Sequence, residues 1–214
     1  MKKIVVVVST SGSVLSKVLG LDEVHQSIYM VVSDRICGAI ETAKKYGIRM
    51  VVLTSASGKE FSDKLIEFFK DDNVDVFLSF YTRLFTSDFI NKFPYKVYNF
   101  HPSILPACPG MDGFGDTIKS GSKFFGSTLH LVDEGVDTGK PLIQSVYPFN
   151  PTISVEENRH ILFIQQCKIF IQFVIWLKQG RIEKDTVKDS KSFFEEFSPN
   201  LEHSIAKDFT VNFQ

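Results

Sequence analysis

Residues 4–8 read Ile-Val-Val-Val-Val, an unbroken β-branched run that admits few folds. β-Branched side chains favour extended backbone, and a run without polar alternation belongs to a strand covered on both faces, as in a parallel sheet. Small residues follow at once, Ser9 to Ser13, and Val14 to Leu19 can form a short helix. The alternation recurs. Ile28 to Val32 reads as a strand ending in Ser33-Asp34, and Ile36 to Tyr46 as a helix stopped by Gly47. Met50 to Leu53 reads as a strand, Lys59 to Phe69 as an amphipathic helix and Val74 to Leu78 as a fourth strand. Such alternation predicts a doubly wound, mostly parallel α/β sheet flanked by helices. Ligands of these sheets sit beyond the carboxyl ends of the strands, which singles out Ser9–Ser13, Ser33-Asp34, Ser79–Phe85 and the segment after Val97-Tyr98.

The second half reads differently. Phe100 to Gly115 is rich in Pro and Gly and reads as loop. Phe125 to Val132 and Pro141 to Tyr147 read as strands joined by Asp133 to Gly139, and Val155 to Lys178 as a long amphipathic helix packed on the sheet, with Gly180 as its stop. Residues 183–214 are charged, with scattered Phe193, Phe194, Phe197, Phe209 and Phe213, and read as an extension of unknown role beyond one domain over 1–182.

Charge and cysteine content narrow the function classes. With 24 Lys plus Arg against 25 Asp plus Glu, nothing electrostatic points to nucleic acid as a partner. Cys37, Cys108 and Cys167 lie far apart, without zinc-ligand spacing, which fits free thiols in a reducing compartment. The apolar run after Met1-Lys2-Lys3 is too short for a signal peptide, and no stretch reads as long enough to span a bilayer. The cytoplasm is the expected compartment, with no membrane and no metal, and the chain is expected to be a monomer or homodimer.

Two segments carry side chains suited to chemistry. Asn99-Phe100-His101-Pro102-Ser103-Ile104-Leu105-Pro106 follows a strand end and puts a carboxamide and an imidazole two residues apart, on one side of an extended chain. Both groups can donate to a developing oxyanion, and the imidazole can also shuttle a proton. Asp133-Glu134-Gly135-Val136-Asp137-Thr138-Gly139 is a glycine-flanked loop able to bring a carboxylate beside such an imidazole. The plain alternatives are a strand-to-loop junction with a surface histidine and a hairpin turn with solvated acids.

Taken together, the Asn99–Pro106 stretch, Gly110, and the run Ser127 to Gln144 containing Asp137 resemble the folate-dependent formyltransferase family, whose pattern is Asn-x-His-Pro-Ser-Leu-Leu-Pro and a later Asp in a glycine-containing loop. The resemblance runs from residue 3 to about residue 182. It includes the Ser-x-x-Gly-Ser turn after the first strand, Tyr81-Thr82-Arg83-Leu84-Phe85, and Trp176-Leu177-Lys178-Gln179-Gly180-Arg181. It implies formyl transfer from 10-formyltetrahydrofolate to a small amine, with glycinamide ribonucleotide of purine biosynthesis ahead of an amino sugar or hydroxylamine. Catalysis would fall to Asn99, His101 and Asp137. The folate would lie against Tyr81, Thr82, Arg83, Leu84, Phe85, Ile90, Ile104, Asp133 and Gly135, and the amine substrate against Ser11, Gly12, Ser13, Pro102, Gly110 and Asp112. A folate-binding relative without turnover is the non-enzyme alternative. A dinucleotide-dependent oxidoreductase lacks its Gly-x-Gly-x-x-Gly turn.

The chain also departs from the pattern. Thr10 and Val14 replace a Gly and an Asn of the first turn, which in the family's purine-pathway members holds a phosphate on main-chain N–H groups. Met111-Asp112-Gly113-Phe114-Gly115-Asp116-Thr117 stands where those members carry histidine, and Asp112 and Asp116 would favour a cationic amine over a phosphate. The arginine that meets the folate's glutamyl end has Lys59 as its nearest counterpart.

Overall fold

The computed structural model describes residues 2–188 and the backbone of residues 197–198. The chain divides into two compact units, Met1–Asn99 with Leu131–Gly139, and Phe100–His130 with Lys140–Gln214.

The first unit is a parallel α/β sheet. Strands β1 (Ile4–Val8), β2 (Ile28–Ser33), β3 (Met50–Val52), β4 (Val76–Phe80) and the start of β5 (Val97–His101) pair in the order β5-β4-β1-β2-β3, all parallel. Helices α1 (Ser13–Val18), α2 (Asp22–His25), α3 (Gly38–Lys45), α4 (Gly58–Phe68) and α5 (Ser87–Lys92) lie between them in sequence. Every residue of β1 is buried, as its unbroken apolar run requires. On one face Val5, Val7, Met30, Val32 and Phe77 pack with Phe61, Leu65, Phe69, Phe89 and Phe93 from α4, α5 and their ends. Five of the chain's 21 phenylalanines are buried here, and Phe77 meets Phe69 and Phe89 edge-on, each at 5.2 Å between ring centroids. Such pairs add about 0.5–1.5 kcal/mol beyond area burial. Strand β4 begins two residues later than its apolar run predicts. The Asp75 carboxylate accepts the Lys3 backbone N–H at 2.8 Å and the Lys2 ammonium at 3.0 Å, while the Asp75 and Val76 N–H groups donate to the Lys3 carbonyl at 3.1 and 3.3 Å.

In the second unit, β6 (Phe124–Leu131) and β7 (Pro141–Pro148) form an antiparallel pair in which Ser127 faces Ser145, and the backbone of 197–198 pairs antiparallel with β7. Helix α6 (Gly113–Lys119) occupies part of the expected loop. Its two glycines hide it from sequence, but Asp112 caps it, accepting the Gly115 N–H at 3.1 Å. Helix α7 (Val155–Lys178) starts at a capping box formed by Ser154 and Glu157 and stops before Gly180, whose φ of 69° suits glycine.

Two expectations about α7 are corrected. It is buried on all sides over Cys167–Leu177, so Lys168 and Gln172 are enclosed along with the apolar residues and not turned to solvent. By length and composition it is also long enough to cross a membrane, contrary to the sequence reading; 67% of its most apolar window is buried inside the protein, as in a core helix. After it, β8 (Ile182–Glu183) and β9 (Thr186–Val187) form a short hairpin. The remainder of the expected extension, from residue 189 onward, lies outside the described residues apart from 197–198.

Candidate active site

Asn99 and His101 alternate along β5 and therefore share one face of the strand, Asn99 half-buried and His101 only 3% exposed. The imidazole Nε2 lies 2.8 Å from the carbonyl oxygen of Cys108, so Nε2 carries a proton and donates it. Gly113 makes that approach possible: a Cβ there would stand 2.5 Å from Nε2 and 3.0 Å from Cε1.

The segment after His101 is fixed by hydroxyls from the β6–β7 pair. Ser127 Oγ donates to the His101 carbonyl at 2.9 Å, and Thr128 Oγ1 donates to the Ser103 carbonyl at 2.8 Å. Thr128 Oγ1 also accepts the Leu105 N–H at 3.0 Å and the Gln144 amide at 3.1 Å, and that amide reaches the Leu105 carbonyl at 2.7 Å. Ser103 Oγ donates to the Ala107 carbonyl at 2.5 Å. Ser103, Ser127 and Thr128 are wholly buried, and in water-free surroundings every polar group must find such a partner. Pro102, Ile104 and Gly110, expected to line the site, are each half-buried along this braced segment.

Asp112 and Asp116 have structural partners. Beyond capping α6, Asp112 lies 3.8 Å from the Lys119 ammonium, and Asp116 lies 3.3 Å from it.

In the first unit, the remaining expected residues gather at the carboxyl edge of the parallel strands. The turn after β1 bends at Gly12, whose φ of 68° and whose approach to Ala39 (a Cβ would stand 2.6 Å from the Ala39 Cβ) both demand glycine. Helix α1 has no side-chain cap, so the first-turn N–H groups beyond Ser11, Gly12 and Ser13 are not claimed by one. The segment after β4 divides its labour. Tyr81 and Phe85 face the core, with the Tyr81 ring 4.8 Å from Phe61 and the Phe85 ring 4.9 Å from Phe89. Leu84 is 62% exposed, and Thr82 donates its N–H to Ser9 Oγ at 3.2 Å. Ile90 is half-buried on α5. Burial, reinforced by the Asp34 charge, raises the pKa of Tyr81.

Loop 131–139 is organised by Asp133, whose Oδ1 accepts the Gly135 N–H at 3.1 Å and the Thr138 hydroxyl at 2.7 Å. Asp137 is half-buried with a φ of 54°, unusual for a residue with a side chain, while Asp133 and Glu134 are exposed. Lys59 is exposed and engaged with Asp63 on its own helix at 2.7 Å. Among the described residues, no group of three or more His, Cys, Asp or Glu is arranged to hold a metal ion, and no disulfide joins the cysteines.

Sequence reasoning missed several residues. Gly58 admits the Leu84 carbonyl, which a Cβ would approach to 2.3 Å. Gly58 and Gly113 each open a helix, where glycine is a poor former, and that misfit is the available signal of a close approach. Nothing in the strand pattern distinguished Ser127, Thr128 and Gln144 from other polar positions.

The sequence profile of the formyl transferase family matches residues 2–174, and the chain belongs to that family. It is similar to the phosphoribosylglycinamide formyltransferase of Haemophilus influenzae, 27% identical over 203 residues that cover 91% of this chain and 94% of the relative. The chloroplastic phosphoribosylglycinamide formyltransferase of Arabidopsis thaliana is 29% identical, over 85% of this chain and 67% of its own. Among solved structures, glycinamide ribonucleotide transformylase 1 from Symbiobacterium toebii superposes with a TM-score of 0.78 at 28% identity, covering 88% of this chain and 93% of that one. A formyltetrahydrofolate deformylase from Pseudomonas syringae reaches 0.76 at 18% identity over 88% of this chain and 67% of its own, a likeness of fold alone.

Proposed function

We propose that this chain transfers the formyl group of 10-formyltetrahydrofolate to the amine of glycinamide ribonucleotide, a step of purine biosynthesis. The observation that carries the reading is the Asn99–His101 pair on β5, with the imidazole buried and held by the Cys108 carbonyl. The names of the relatives supply the acceptor. In the reaction the amine nitrogen bonds to the formyl carbon, the carbon–N10 bond breaks, and the proton lost by the amine ends on the departing folate nitrogen. Asn99 donates its amide N–H to the oxyanion of the tetrahedral intermediate. His101 already holds one proton on Nε2; a second makes it an imidazolium whose charge opposes the developing negative oxygen. Asp137 is assigned the carboxylate that favours this charged form and steers the proton through water. The folate is assigned to Tyr81–Phe85, Ile104, Asp133 and Gly135, and the acceptor to Pro102, Gly110 and the first-turn N–H groups at Ser11, Gly12 and Ser13, where an anion is favoured. The capping and ion-pair work of Asp112 and Asp116 weighs against an unphosphorylated cationic acceptor.

The test is steady-state turnover with 10-formyltetrahydrofolate and glycinamide ribonucleotide beside a panel of unphosphorylated amines. Turnover confined to the ribonucleotide, and lowered about 10²–10³-fold by His101→Ala or Asp137→Asn, is the expected outcome. Turnover of another amine alone refutes the acceptor, and near-normal rates in either variant refute the catalytic assignment.

A further inference from the structure

The first unit contains a buried charge that the assignments above leave unused. Asp34 follows β2, and its side chain is wholly inaccessible to solvent. A carboxylate removed from water persists as an anion only when its oxygens are met by donors or positive charge. Two arginines supply them. Arg35 forms a two-pronged contact, Nε to Oδ1 at 2.9 Å and Nη2 to Oδ2 at 2.7 Å. Arg83 reaches Oδ2 with Nη1 at 3.2 Å, and the same nitrogen donates to the Ser55 carbonyl, also at 3.2 Å.

The surroundings hold Asp34 still. The Ser55 N–H donates to the Asp34 carbonyl at 3.0 Å, and the Leu53 N–H to the Ser33 carbonyl at 2.8 Å, continuing the β2–β3 pairing past the strand ends. On the other side of Arg83, the Thr82 N–H and hydroxyl engage Ser9 Oγ at 3.2 and 3.0 Å. Gly58 lets the Leu84 carbonyl sit tightly on the start of α4. The segment Thr82–Leu84 is therefore held at three successive residues, and the central hold is electrostatic.

One negative and two positive charges leave the group with a surplus of one positive charge. The arginine side chains remain 44% and 34% exposed, so both guanidiniums present further donors outward while one carboxylate fixes their orientation. Without the carboxylate the two cations would repel each other and Arg83 would lose its anchor.

We propose that Asp34 is a positioning residue for formyl-donor binding: through Arg83 it fixes the Tyr81–Phe85 segment in the shape that receives the folate. The inference rests on the assignment of that segment to the folate.

The experiment is a double-mutant cycle on folate affinity, read by isothermal titration with 5-formyltetrahydrofolate in the absence of amine, beside the donor and amine Michaelis constants. Asp34→Asn is expected to weaken folate binding tenfold or more and to raise the donor Michaelis constant in parallel, with the amine constant within twofold of wild type. Arg83→Gln, which also removes the Ser55 contact and a side chain assigned to the folate, should cost at least as much, and adding Asp34→Asn to it should cost nothing further, because the Asp34 effect runs through Arg83. Additive losses, or an Asp34→Asn effect that disappears in an Arg35→Gln background while persisting in Arg83→Gln, overturn the proposal. So does unchanged affinity in Asp34→Asn. Should that variant fail to fold, Arg83→Lys carries the test: an ammonium keeps the charge but cannot reproduce the guanidinium fork between Asp34 and Ser55, so the same loss is expected and unchanged affinity refutes it. Wild-type protein that binds no folate would refute the functional reading itself, an outcome distinct from wild-type binding with an indifferent Asp34→Asn.

Discussion

Gly113→Ala isolates the positioning of His101 from the stability of the fold. The added Cβ would stand 2.5 Å from Nε2, whereas ordinary van der Waals contact begins near 3.4 Å, so the ring must retreat by about 0.9 Å. A retreat straight away from the new carbon moves Nε2 sideways to the Cys108 carbonyl and stretches the present 2.8 Å bond to about 3.2 Å, long and bent. Rotation of the ring would relieve the overlap only by turning Nε2 away from the same carbonyl, which itself would lie 3.2 Å from the new carbon. Two stability terms then nearly cancel. The weakened hydrogen bond costs at most about 0.5–1.5 kcal/mol, and alanine in the first turn of α6 recovers up to about 1 kcal/mol of helix propensity. The net change should lie within about 1 kcal/mol, a shift in Tm of a few degrees. Turnover should respond far more, since a misplacement near 1 Å costs on the order of 10²-fold. The assay is kcat with both substrates saturating, paired with a thermal melt. Wild-type kcat within threefold in a protein that melts normally would refute the claim that Gly113 sets the imidazole.

Further perturbations test the supports of the site and of the sheet. Thr128→Val removes a wholly buried hydroxyl that serves three partners; stability should fall by about 2–4 kcal/mol in urea unfolding, and a loss below about 1 kcal/mol would mean the segment after His101 is held elsewhere. Tyr81→Phe deletes a buried hydroxyl that lies beside the Arg83 guanidinium without a well-formed hydrogen bond among the described residues, so Tm should stay level or rise, and a clear fall would mean that the Arg83 contact carries stability. The Lys3 ammonium, with the Tyr29 hydroxyl, holds the Asp72 carboxyl below its ordinary value of 3.8. That stabilisation is complete above the ordinary value and disappears as pH falls through the lower folded one; the Tm gap between wild type and Asp72→Asn should be constant from pH 5 to 7 and close below pH ~4, and a gap that widens in acid would contradict the assignment. Gly47 has a φ of 67° with open space around it, so Gly47→Ala should cost about 1 kcal/mol of stability and leave turnover untouched; an effect on kcat would mean that backbone strain there reaches the site.

How much of this was legible beforehand depended on whether a property was local. The run Ile4–Val8 announced a strand buried on both faces because burial leaves its mark on each residue, and β1 lies where that run lies. Helix α7 matched its expected bounds, Val155–Lys178, yet its all-round burial leaves no mark in the apolar periodicity, because Gln165, Lys168 and Gln172 are buried along with the apolar residues. Helix α6 was invisible for a related reason: Gly113 and Gly115 lower helix propensity, and both are present for closeness, one to His101 and the other to the Asp112 cap.

The site shows the same division with sharper consequences. Asn99 and His101 stood out because two polar side chains at a strand end share a face by the geometry of the strand alone. What makes the imidazole an oriented donor was not legible, because it depends on groups distant in sequence: the Cys108 carbonyl, the Gly113 backbone and the Ser127 and Thr128 hydroxyls. Asp34 is the clearest instance. In the sequence it is marked only by its place at the carboxyl end of a strand, where a ligand could sit and where solvent exposure would be the ordinary expectation. In the fold, the continuation of β2–β3 pairing closes over it and brings two arginines to its two oxygens. A carboxylate with no solvent access must be answered by fixed donors, and those donors lose their freedom in answering it. Burial at Asp34 is thus converted into order at Arg83, in the segment assigned to the folate, by an interaction whose partners lie 49 residues apart in the chain.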